Sequence, residues 1–185
     1  MQFLNEQIDK ALSFAAKAHK DQFRKTDPLL PYIYHPISVG FILLRAGFSD
    51  EVVAAGILHD VIEDCGVTAE QLEFEFGDKV TSLVTAVSEN KEDSWEKRKK
   101  DYSETIMKSS PEVKAIAASD KIHNIYSLID TLIKGGDMEK FFTKDKNTSV
   151  NFYLNFSKLL DENWSHPLVD ELKSAAEKLK KEAGL

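Results

Sequence analysis

The stretch Val52-Val53-Ala54-Ala55-Gly56-Ile57-Leu58 is apolar nearly all round a helix, which places it in the middle of a fold rather than at its surface. Directly after it come His59-Asp60, and one helical turn later a second acidic pair, Glu63-Asp64. Ionisable groups carried into an apolar interior are costly unless they are paired or coordinated. In a helix continuous to Gly66, His59 sits beneath Glu63 and Asp60 beneath Asp64, giving one imidazole and three carboxylates on adjoining stripes. The bland alternative is a solvated helix end with ordinary acidic residues, and the burial of the preceding turns weakens it. The segment is expected to be both the packing centre and the seat of chemistry.

The rest of the chain reads as helix. A first helix is expected from about Asn5 to Phe23, with Leu4, Ile8, Leu12, Ala15, Ala16 and His19 at helical spacing. Two prolines make RKTDPLLPYIY a loop. Pro36 suits the first turn of a second helix that stops at Gly47. Ser49 or Asp50 caps the third, which ends near Gly66. Thr68 with Gln71 is a capping-box pattern opening a short fourth helix closed by Gly77. DKVTSLVTAVS is β-branched but has no partner strands, so it too is expected to be helical. ENKEDSWEKRKKD reads as a loop leading into a solvated helix, and Ser110-Pro111-Glu112 starts a long one that ends at Gly135-Gly136. Two amphipathic helices follow, about Asn147 to Leu160 and Pro167 to Lys181. At 185 residues, with no repeat and no linker, the expectation is one compact all-α domain over residues 1–185.

Composition narrows the function. A net charge of -7 argues against nucleic acid or an anionic membrane as partner, and no apolar run reaches membrane-spanning length. The N-terminus is interrupted by charges and is not a secretory signal. A lone cysteine, Cys65, excludes an internal disulfide framework and fits a reducing cytoplasm. An anionic substrate then needs local basic groups or a metal.

A metal site needs more than His59 and Asp60. His35 lies at the YHP junction, where a proline fixes its direction, and Asp120 is an unexplained charge inside the apolar helix AIAASDKIHNI. Two imidazoles and two carboxylates make mixed N/O ligation, suited to Mn, Fe, Zn or Co with open positions for water and substrate. Taken singly, His35 reads equally well as a helix cap and Asp120 as half of a buried ion pair.

The order H…HD…D, as His35, His59-Asp60 and Asp120, resembles the HD-domain metal-dependent phosphohydrolases. AAKAHKDQFRKTDPLLPYIYHPISVG, GILHDVIEDCGVT, FGDKV and SDKIHNI resemble the hydrolase domain of the RelA/SpoT alarmone enzymes. In size the chain is most similar to the stand-alone small alarmone hydrolases of the metazoan SpoT-homologue type. The motifs run from roughly Ala11 to Leu128; the remainder matches in length and helical character.

The resemblance implies an HD-domain helical bundle that uses one Mn²⁺, held by His35, His59, Asp60 and Asp120, to remove the 3′-diphosphate of (p)ppGpp. Glu63 and Asp64 would position and deprotonate the attacking water. Arg24 would stack on the purine base and Lys25 meet phosphate, with Thr26 beside them. Asn124 would bond near the ribose, and Ser127 and Leu128 would line the nucleotide pocket. The chain departs from the family pattern at Trp95, where a basic residue is expected. Lys97, Arg98 and Lys99 are its nearest substitutes, but a solvated helix face is the favoured reading of them. DPLLPY is more apolar than the family's loop, and the family's polyphosphate tyrosine maps to Phe152 or Tyr153.

His19 and His123 are read as supporting rather than ligating residues, His166-Pro167 as a helix start and Cys65 as a small buried hydrophobe. Phe141, Phe142 and Trp164 are read as packing. A hydrolase without synthetase is expected, acting on a small purine nucleotide polyphosphate, with a homo-oligomer left open. The alternatives are an HD phosphohydrolase acting on adenosine alarmones or the NADPH 2′-phosphate, and a catalytically silent nucleotide-binding module.

Overall fold

In the computed structural model, which describes residues 5–136, 140 and 144–185, every residue from Val52 to His59 is buried. Leu4, Phe141 and Phe142 lie outside the described residues. Helix α3 (Asp50–Leu58) is the hub, contacting α1 (Glu6–Ala18), α2 (Tyr34–Arg45), α5 (Ala69–Val87) and α7 (Pro111–Ile133). Short α4 (Val61–Cys65) follows it, α6 (Trp95–Lys108) and α8 (Lys146–Asn163) pack against α7 and each other, and α9 (Pro167–Glu182) packs along α7 and α8. Val52, Val53, Ile57 and Leu58 of α3, each fully buried aliphatic side chain contributing about 1.5–3 kcal/mol, together outweigh the several kcal/mol that desolvating a paired ionisable group costs. That balance lets one helix carry His59 into the interior.

Close approach of α2 and α3 depends on glycine. A Cβ on Gly56 would stand 2.3 Å from Leu43 Cδ1, and one on Gly40 would stand 2.6 Å from Ile57 Cγ1. Leu43 is fully buried and has nowhere to move. Gly56→Val is expected to destabilise the fold by about 1–3 kcal/mol through overpacking, read as a lowered midpoint in urea with an unchanged slope.

Local signals account for most helix ends. Thr68 and Gln71 make both bonds of the capping box, and Ser110 precedes Pro111 at the start of α7. Gly77, at φ 80°, interrupts α5 where a helix stop was expected, and the β-branched run beyond it is helical. Among the described residues no helix is long and apolar enough to cross a membrane.

Two expectations need correction. The first helix stops at Ala18, not near Phe23, and the expected loop contains a two-stranded antiparallel ribbon, β1 (Phe23–Arg24) and β2 (Asp27–Pro31). Pro28 and Pro31 are tolerated because both strands are edges. Lys25-Thr26 form the turn. The third helix is also not continuous: it breaks at His59-Asp60, where Asp60 relaxes to φ -97°, ψ -5°.

Candidate active site and metal centre

The break after Leu58 fixes the imidazole of His59. Its Nδ1 lies 2.8 Å from the carbonyl of Gly56, so Nδ1–H donates and the lone pair sits on Nε2. That Nε2 is buried and, among the described residues, has no hydrogen-bond partner. It faces Asp60 Oδ2 at 3.1 Å and Asp120 Oδ1 at 3.8 Å. His35, in the first turn of α2, brings its Nε2 to 3.2 Å from Asp120 Oδ1 and 3.6 Å from Asp60 Oδ2. Donor atoms of His35, His59 and Asp120 lie within 4.8 Å of one another. A lone pair aimed at carboxylate oxygens is repulsive unless a proton or a metal cation lies between them. The donor set therefore fits a divalent cation with open positions.

The electrostatics follow from this crowding. Burial alone would lower the His59 pKa, but Asp60 and Asp120 outweigh it and raise it to about 9. His35 goes the other way, held down by burial and by the neighbouring His59, despite its contact with Asp120. The two imidazoles of one cluster are thus shifted in opposite directions. Asp60 and Asp120 are both held below the usual carboxylate range: burial opposes this, but the histidines, and for Asp120 above all Lys121, prevail.

Each candidate donor is oriented by a second contact, as metal-site residues commonly are.

 His35 Nδ1 lies 2.8 Å from His123 Nδ1, the supporting role expected of His123. Lys121 Nζ donates to Asp120 Oδ2 at 2.6 Å, and Asn124 Nδ2 donates to Asp120 Oδ1 at 2.5 Å. Tyr32 donates to Asp60 Oδ2 at 2.7 Å.

Glu63 and Asp64 stand beside this cluster in different surroundings. Glu63 Oε2 accepts the backbone N–H of Glu89 at 3.1 Å, and burial raises the Glu63 pKa above its ordinary value. Asp64 accepts from Lys91 and, at 3.2 Å, from the Tyr32 hydroxyl. The half-buried Glu63 suits proton transfer, whereas Asp64 is held by donors on both oxygens.

All twelve residues singled out from the sequence line one cleft of about 550 Å³. His35, His59, Asp60, Asp120, Glu63 and Asp64 share it with Arg24, Lys25 and Thr26 from the ribbon and its turn, and with Asn124, Ser127 and Leu128 from α7. Arg24 Nη2 donates to Asn124 Oδ1 at 3.0 Å, so Asn124 links the ribbon to Asp120.

The reading of 97–99 as one solvated face is corrected. Lys97 alone is exposed, paired with Asp93 at 2.9 Å and Asp101 at 2.8 Å. Arg98 and Lys99 turn into the cleft against Glu89, at 3.0 and 2.5 Å. Their spacing to buried Tyr102 and Ile106 was the available signal: Arg98 is four residues before Tyr102, on the same helix face. Lys91, Glu89 and Tyr32 also line the cleft and were not singled out. Trp95, Phe152 and Tyr153 line it as well.

The expected packing role of Cys65 holds in part: it is half-buried, 3.2 Å from His19 Nδ1, and burial pushes its thiol up to about 11.

Residues 11–134 match a family model described as the HD domain. The mouse and human proteins named guanosine-3′,5′-bis(diphosphate) 3′-pyrophosphohydrolase MESH1 are each 40% identical over 124 residues, covering 66% of this chain and 69% of theirs. A solved structure of a metazoan ortholog of SpoT, described as hydrolysing ppGpp and acting in starvation responses, superposes with a TM-score of 0.80 at 28% identity. That likeness covers 100% of this chain and 99% of the other. The structure of lmo0812 from Listeria monocytogenes EGD-e gives a TM-score of 0.72 at 31% identity, over 80% of this chain and 97% of that one. With its motifs matched in order and its helices superposed from end to end, the chain belongs to the HD-domain family, within the small alarmone hydrolases of the metazoan SpoT-homologue type.

Proposed function

We propose that the protein removes the 3′-diphosphate of guanosine 3′,5′-bis(diphosphate) and of its pentaphosphate form, giving GDP or GTP and pyrophosphate, with Mn²⁺ as cofactor. The observation that carries this reading is the buried, unpartnered Nε2 of His59 facing two carboxylates at the floor of a cleft. The names of the relatives supply the substrate.

His35, His59, Asp60 and Asp120 would hold the Mn²⁺, which when bound supplies acidification of water and charge neutralisation at phosphate. The other roles belong to the chain itself. Arg24, held between Asn124 and the ring of Tyr32, is preorganised to stack on a purine. Lys25, Lys91, Arg98 and Lys99 offset the charge of the phosphates. Six cationic and five acidic side chains line the cleft, so the acidic excess of a chain of net charge -7 is absent where an anion would enter. Glu63 accepts the proton of the attacking water as its oxygen bonds to the 3′-linked phosphorus. The bond from that phosphorus to the ribose 3′-oxygen breaks, and a proton delivered to the departing oxygen balances the one that Glu63 took.

The reading includes a cytoplasmic location, supported by the single free thiol, Cys65. The test is purified protein with Mn²⁺ and ppGpp, followed by chromatography of the products. GDP and pyrophosphate in equal amounts are expected. Release of inorganic phosphate, or turnover of adenosine alarmones or NADPH with ppGpp untouched, would overturn it.

A further inference from the structure

Tyr32 precedes His35 by three residues and belongs neither to the proposed ligand set nor to the Glu63-Asp64 pair, yet its hydroxyl stands between them. The phenolic oxygen is 2.7 Å from Asp60 Oδ2 and 3.2 Å from Asp64 Oδ2. A phenol has one proton to donate, so the two carboxylates share a single donor. The ring is held on several sides. Its backbone N–H donates to the carbonyl of Gln22 at 2.8 Å, and the Gln22 side chain donates to the carbonyl of Asp64 at 3.0 Å. The His19 ring lies 4.8 Å away, tilted by 30°. The guanidinium of Arg24 lies 5.3 Å from the ring centroid.

We propose that Tyr32 is a positioning residue with two separable functions: its hydroxyl holds Asp60 and Asp64 in mutual register, and its ring carries Arg24. One side chain then ties the nucleotide-binding ribbon to the hydrolytic centre. The inference rests on the function proposed above. Without the hydroxyl, the two negatively charged groups lose the one donor they share, leaving Asp64 to Lys91 and Asp60 to the histidines it faces, with nothing to fix one carboxylate against the other. Without the ring, Arg24 loses the surface on which it lies.

Tyr32→Phe separates the two functions, because it keeps the ring. It is expected to lower kcat about ten- to a hundredfold and Mn²⁺ affinity by a similar factor, with KM within about twofold of wild type. Tyr32→Leu removes the ring as well and is expected to raise KM several-fold in addition. Circular dichroism of both variants checks that the helices are intact. Mn²⁺ affinity is measured by isothermal titration calorimetry, which needs no substrate. Wild-type protein without ppGpp turnover would sink the function reading, and calorimetry would still decide this one. Tyr32→Phe with unchanged Mn²⁺ affinity, or with unchanged kcat in an active enzyme, overturns the shared role. So does a KM that rises in step with the fall in kcat.

Discussion

His59→Ala is expected to abolish both ppGpp turnover and metal content. The imidazole is buried, its Nδ1–H is committed to Gly56, and its Nε2 has no partner other than the acidic oxygens it faces. Removing it takes away a donor that no neighbour can replace, so the loss should exceed the roughly 10–100-fold typical of changes to supporting contacts. The measurement is metal content by mass spectrometry together with initial rates. Thermal unfolding gives a second readout. Mn²⁺ at 100 times its Kd stabilises a one-site protein by about 2.7 kcal/mol, equivalent to a rise in Tm of about 5–11 °C at this chain length. Wild type should show that rise and His59→Ala should not. A variant that keeps full activity without bound metal would remove the basis of the proposed function.

Glu63→Gln should separate chemistry from binding. The substitution keeps an acceptor oxygen for the Glu89 N–H but removes the capacity to take a proton. General bases contribute about 10²–10⁴-fold, so kcat should fall by that much while Mn²⁺ still binds. The pH profile carries the sign. Glu63 must be ionised to accept a proton, so activity falls as pH drops through its pKa. Burial raises that pKa, which moves the acidic limb of the wild-type profile upward from an ordinary glutamate's position. The limb should vanish in Glu63→Gln. An unchanged limb would assign the proton transfer elsewhere.

Of the four residues proposed as ligands, His59, Asp60 and Asp120 stand out as anomalies of type, a charge or an imidazole where the surrounding pattern demands hydrocarbon, whereas His35 stands out only by its place before Pro36 at the YHP junction. The start of α5 was legible because Thr68 and Gln71 cap it, whereas the caps at Ser94 and Asp145 lie in polar stretches where one acceptor looks like the next. The ribbon was not. Its pairing is a contact between strands too short to show alternation, and Pro28 and Pro31 argued locally for a loop. The break at His59-Asp60 was hidden for a different reason. Neither residue is a helix breaker, and the loosening shows only in the backbone angles of Asp60 and the bond from His59 to Gly56. Arg98 and Lys99 were misjudged because a run of basic residues resembles a surface. Which of them turns inward depends on the face that Tyr102 and Ile106 bury. Tyr32 gave no signal of its own, since a tyrosine beside a proline is ordinary in any loop.

Helix α7 is buried without interruption from Val113 to Ile122, and the same stretch already reaches the cleft at Ile116, Ala117, Asp120 and Lys121 before continuing along it at Asn124 and Ser127. One rigid rod thus serves as both keel and workbench. That wall has no hinge, and fraying there cannot release substrate contacts without breaching the interior. Heat inactivation should therefore coincide with loss of the whole tertiary structure, and enlarging a fully buried core residue such as Ala115 should lower activity and thermal stability together.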